Sequence, residues 1–133
     1  MKTSESNPHD WFLLAADRLR VTDSTRQHEG ITYAGVELLQ GAAERYLKGY
    51  LVSKGWRLER THDLRKLIEE ACQFNPTFRK FSGLADSLTE QSWAQHYPGD
   101  DLEDVGSDYD VLREQLDHLI AAILPAVPPK AQQ

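Results

Sequence analysis

Cysteine occurs once in this chain, at Cys72, so no internal disulfide can form and a reducing, cytoplasmic setting is expected. No apolar run approaches the ~20 residues of a membrane-crossing helix. Met1 to His9 is polar and lacks the apolar stretch of a secretory signal. No segment alternates with the strand period, and no internal repeat or low-complexity tract is visible. Walker and GxGxxG loops, a cysteine pair and an HExxH helix are missing as well, which removes the common phosphate-loop, dinucleotide and zinc chemistries. His28 with Glu29, and His96 near Asp100 and Asp101, read as loose polar neighbours rather than ligand sets. No metal and no cofactor are expected. Basic charge is also scarce: 15 Lys and Arg against 21 Asp and Glu leave a net charge of -6. That balance argues against general duplex DNA binding, which needs a basic surface.

What remains is one ordinary domain, with 133 residues of which 40% are hydrophobic and 27% charged. A chain of this size buries roughly two-thirds of its unfolded surface. Pro8 behind Asn7 opens a first helix carrying Trp11, Leu14, Ala15 and Leu19; the polar stretch from Val21 to Glu29 reads either as its continuation or as a loop. A second helix is predicted from Ile31 to about Lys54 on the spacing of Val36, Leu39, Ala43, Tyr46, Leu47, Tyr50 and Leu51, with Gly55 as its stop. Gly35, Gly41 and Gly49 each cost that helix about 1 kcal/mol relative to Ala. The compensation expected is close approach of another helix or of a second chain.

Thr61 is the expected N-cap of a third helix bearing Leu64, Leu67, Ile68 and Ala71, ended by Asn75-Pro76. A fourth is predicted from about Pro76 to Gln95, burying Phe78, Phe81, Leu84 and Leu88, with Trp93 a further candidate. Tyr97-Pro98-Gly99 breaks the chain. The last helix carries Tyr109, Leu112, Leu116, Leu119, Ile120 and Ile123, and Pro125, Pro128 and Pro129 terminate it. The fold predicted is all-α, an antiparallel bundle of four to five helices. Residues 1–7 form a flexible N-terminus, 8–124 the helical domain and 125–133 a proline-containing C-terminal tail.

Charge is segregated: six Lys and Arg fall between Lys48 and Lys66, while Asp100 to Asp110 is acidic. Such runs are either solvated faces or a local basic patch. Glu44 and Lys48, four apart with the acid first, form either a surface pair worth about 0.2–0.5 kcal/mol or polar groups in a groove. Tyr46, Tyr50, Trp56 and Trp93 could stack on bases, but aromatics at helical spacing belong by default to a core or a dimer interface.

The run Leu38 to Leu51, containing Gln40, Ala42, Glu44 and Lys48, is followed by Gly55 and by Thr61-His62-Asp63-Leu64. Together these resemble the HEPN family, whose core reads as a Gln-x-Ala-x-Glu-x-x-x-Lys-like helix, a loop, then Thr-His-Asp-Leu. Trp11 with Ala16-Asp17-Arg18-Leu19 resembles its first helix. Ala94-Gln95-His96-Tyr97-Pro98 resembles its Ala-Arg-Tyr-Pro turn, with His96 in place of the basic residue. The resemblance implies a helical bundle, usually a homodimer, and roles from nucleotide-binding accessory proteins to RNA-cutting toxins. On it, Glu44, Lys48, Arg57, His62, His96 and Tyr97 are the candidate nucleotide-binding residues.

RNase members of that family use an Arg followed four to six residues later by a His, without a metal: the His moves a proton and the Arg holds phosphate charge. Arg57 with His62, and Arg113 with His118, have the spacing. A pattern so short arises by chance, and Leu58 stands where those relatives carry a polar residue. Arg113 and His118, five apart in one helix, lie about 140° apart around it. Arg57 and His62 are therefore the catalytic candidates, with His62 at a helix start equally suited to a capping or neutral ligand role. The leading expectation is a nucleotide- or RNA-binding protein working with a separately encoded nucleotidyltransferase, as in toxin–antitoxin pairs. The alternatives are a metal-independent RNase and a helical dimer that only docks protein.

Overall fold

A computed structural model describes residues 1–130; residues 131–133 of the expected tail lie outside the described residues. Five α-helices follow in order: α1 Pro8–Glu29, α2 Tyr33–Ser53, α3 Leu64–Phe74, α4 Ser82–Trp93 and α5 Tyr109–Ile123. Among the described residues there is no strand, and no helix is long and apolar enough to cross a membrane.

Local chemistry fixes the helix ends. Asn7 accepts from the His9 amide ahead of Pro8, and Thr32 Oγ1 accepts from Gly35 N at 3.0 Å. At α3 the cap is Asp63 rather than Thr61. The Asp63 carboxylate accepts from the amides of Arg65 and Lys66, and Thr61 Oγ1 instead accepts from Asp63 N at 3.1 Å. An acceptor-only carboxylate at the positive end of a helix outdoes a hydroxyl two residues earlier. The segment expected as one helix from Pro76 is a 3₁₀ stretch, Pro76–Phe81, that passes into α4. Phe78, Phe81, Leu84 and Leu88 are buried as expected, but Trp93 is 63% exposed. Five residues beyond Leu88, Trp93 sits about 140° around the helix from the core stripe.

Helix α2 is the axis of the bundle, packing against α1, α3, α4 and α5, and thirteen of its 21 residues are buried. It runs antiparallel to α1: Phe12 lies on Gly49 and Tyr46 near one end, while Thr22 meets Gly35 near the other. The small residues of α2 are therefore consumed within the chain. Ala42 and Ala43 belong to the core, Gly49 admits the Phe12 ring, and Gly41 lies under Arg18 and Arg45.

The polar half of α1 is a helix after all, and its polar residues explain why. Buried Thr22 donates to Gly35 O at 3.0 Å and lies 2.6 Å from the Tyr109 hydroxyl. Asp23 accepts twice from Arg113, at 2.7 and 3.0 Å, and Arg26 donates twice to Asp110, both at 3.0 Å. These contacts fasten α5 to α1. The hydrogen bonds that the Arg113 guanidinium donates to Asp23 and Asp117 hold it firmly protonated, so Arg113 is a strut, and His118 lies elsewhere on the exposed side of α5.

Candidate functional site

A groove of about 940 Å³ opens between α1, α2, the loop entering α3 and the end of α4. Its floor is organised by Glu44. This side chain and that of Lys48 are each only 5% exposed, with Lys48 Nζ donating to Glu44 Oε2 at 3.1 Å. The ammonium also sits 5.5 Å from the centre of the Trp11 ring, a cation–π contact that closes it off on the α1 side. The pair is thus neither a surface pair nor a lysine offered to the groove: Lys48 backs Glu44 from beneath.

His62 completes the arrangement from the loop. Its Nδ1 lies 3.0 and 3.2 Å from the two Glu44 carboxylate oxygens, and Gln40 Nε2 donates to its backbone carbonyl at 3.3 Å. A carboxylate paired with an ammonium can only accept, so Nδ1 carries the proton and donates. Nε2 is left without a hydrogen-bond partner among the described residues, on a side chain that is 83% exposed and lines the groove. His62 does not cap α3; it is a surface imidazole whose orientation is set by a buried charge pair.

Of the sequence candidates, Glu44, His62 and His96 line this groove. The His96 ring packs on Trp93 with centroids 4.4 Å apart. Arg57 and Tyr97 do not line it: Arg57 is exposed on the preceding loop, and Tyr97 is 76% exposed beyond His96. Arg57 and His62 are therefore not brought together within one chain. Two lining residues escaped the sequence reading, Arg18 of α1 and Arg45 of α2. The signal available was Gly41, four residues before Arg45, which leaves bare backbone for a long side chain to cross. Burial, and then the charge of Arg18, hold the Arg45 guanidinium below its ordinary range. Among the described residues no group of three or more His, Cys, Asp or Glu is placed to hold a metal ion.

A five-helix bundle with a polar groove beside its central helix defines the class. The family model for the HEPN domain matches residues 9–122, and the chain belongs to that family. No curated protein and no solved structure matches it. Membership carries a helical, nucleotide- or RNA-related role.

Proposed function

We propose that the groove binds a nucleotide, free or within RNA, and that the protein acts without cleaving it, as the partner of a separately encoded nucleotidyltransferase. The observation that carries this reading is the His62 imidazole, held through Nδ1 by buried Glu44, with Nε2 unpartnered, in the lining of a groove of about 940 Å³. That volume suits a small-molecule ligand, and the His62 imidazole supplies a polar group in the same groove as the Trp93–His96 aromatic wall. Calorimetric titration with ATP and with a short single-stranded RNA tests it. Saturable binding that weakens with added salt is expected, as phosphate contacts require. His62→Ala should weaken binding and lower stability by an ordinary ~0.5–2 kcal/mol. No heat and no thermal shift at millimolar ligand would leave only the protein-docking role.

The exposed Nε2 also favours a second reading, a metal-independent RNase in which His62 moves the proton. Its Arg57 would then have to come from a partner chain, since the two residues share no cavity within one chain. Robust RNA cleavage in EDTA, lost in His62→Ala with unchanged circular dichroism, would establish this reading in place of the first.

A homodimer is part of the proposal. With the small residues of α2 used internally, its support is the exposed apolar stripe of α1, where Leu14 and Val21 lie three or four residues either side of Arg18. Light scattering should give twice the 15.2 kDa chain mass. A mass of one chain, constant with concentration, would remove the dimer.

A further inference from the structure

Arg18 and Arg45 reach the groove from different helices and cross over the same residue. A Cβ at position 41 would lie 3.3 Å from Arg18 Cδ and 3.2 Å from Arg45 Nη1, so both side chains lie against the bare backbone at Gly41. Each guanidinium donates to one carbonyl a turn back on its own helix: Arg18 Nη1 to Leu14 O at 3.2 Å, and Arg45 Nη1 to Gly41 O at 3.0 Å. The remaining N–H donors have no protein acceptor among the described residues, and neither arginine makes an ion pair there. The third arginine of the groove differs, because Arg65 lies 2.7 Å from Asp86.

No acid of the groove pairs with either guanidinium, and the Glu44 charge offsets only part of the repulsion and burial that Arg45 feels. Glu44 is held by Lys48 and His62, Asp63 caps α3, and Glu37 makes no ion pair. Two neighbouring, half-buried guanidiniums thus stand without an ion-pair partner among the described residues, in a protein whose net charge is -6. The arrangement is favourable when an anion with several acceptor oxygens bridges both forks, which is the geometry guanidinium offers to phosphate. Arg45 already feels the charge of Arg18, and an anion between them would relieve that repulsion.

We infer that Arg18 and Arg45 together hold a phosphate group of the ligand, while Trp93 and His96 on the α4 side of the same groove offer a stacking surface for the attached base. This rests on the reading of the groove as a nucleotide site and assigns the phosphate end of it.

The test is calorimetry of the full chain with inorganic phosphate, adenosine, AMP, and an oligoadenylate lacking a terminal phosphate, on wild type, Arg18→Gln, Arg45→Gln and Arg45→Lys. Each Gln variant should bind AMP about tenfold or more weakly, as expected for losing a charge-assisted contact. Adenosine should bind all four proteins alike, and Arg45→Lys should recover only part of the loss. Without ligand, both Gln variants should melt no lower than wild type, because each removes one of two unneutralised charges; a structural pair would melt lower. The same arginine dependence with the oligoadenylate identifies an RNA phosphodiester as the source, and dependence confined to AMP identifies a mononucleotide. AMP binding unchanged in both Gln variants overturns the inference and leaves the groove reading intact. Phosphate binding that needs both arginines, with AMP binding no better than phosphate, keeps the anion site and overturns the nucleotide reading. Binding of neither phosphate nor AMP overturns both.

Discussion

Glu44→Ala is expected to lower stability by about 3–5 kcal/mol, because it leaves the Lys48 ammonium buried without a counterion. A domain of this kind has only about 5–15 kcal/mol in total, so the variant should sit near the edge of folding. The comparison that gives the number meaning is the double variant Glu44→Leu with Lys48→Met. It removes both charges, replaces them with apolar side chains of similar length, and should be close to wild type or more stable. Urea melts of the two variants read this directly. A single variant as benign as the double one would mean that water reaches the pair. The stable double variant should nevertheless lose ligand affinity, because His62 Nδ1 then has no carboxylate to fix its ring. A pair that stability does not need, yet function does, is the expected mark of a site.

The second large effect lies at Gly49. An added Cβ there would overlap the Phe12 ring and lie 3.0 Å from the backbone oxygen of Pro8. The ring cannot swing aside freely, since it stacks on Tyr46 and meets His9 edge-on, and a backbone oxygen moves only with α1 itself. Gly49→Ala should therefore cost about 1–3 kcal/mol net by overpacking, despite the ~1 kcal/mol that alanine gains in a helix. Gly83 in α4 is the matched control: nothing lies within 4 Å of its added Cβ. Gly83→Ala should raise stability by about 0.4–1 kcal/mol. Thermal melts that place both variants on the same side of wild type would refute the close-approach account of Gly49.

Much of this was legible in the chain itself. The helices and their number follow from apolar spacing and from the Gly and Pro stops, and the cost of Gly49 in mid-helix already called for a close neighbour. The end of α1 was ambiguous because Thr22, Asp23 and Arg26 are polar, and only the tertiary structure reveals that α5 supplies their partners. Thr61 and Asp63 are both good caps, and choosing between them depends on which backbone amides are left open. In the site, Glu44 and His62 were visible as a pattern, but their 18-residue separation hides the hydrogen bond. Lys48 showed the opposite problem: helical spacing placed it correctly beside Glu44 but could not say that Trp11 covers it. For Arg45 the one local signal is Gly41, four residues earlier, and Arg18 carries none, because the significance of both is the ion-pair partner that neither one has.

The fastening of α5 has a consequence for the order of assembly. Thr22 and Tyr109 are 87 residues apart, and Asp23 and Arg113 are 90 apart, so these are among the costliest loops in the chain to close. Every residue lining the groove lies between Arg18 and His96, and α5 contributes none. During synthesis from the N-terminus, α1 to α4 emerge with the whole groove while Asp23 and Arg26 still wait for their partners and Thr22, already bonded to Gly35, waits for Tyr109. The groove is thus complete in sequence before the contact that latches the bundle, and α5 acts on it from outside, by packing on α2 and α4 and by fastening α1.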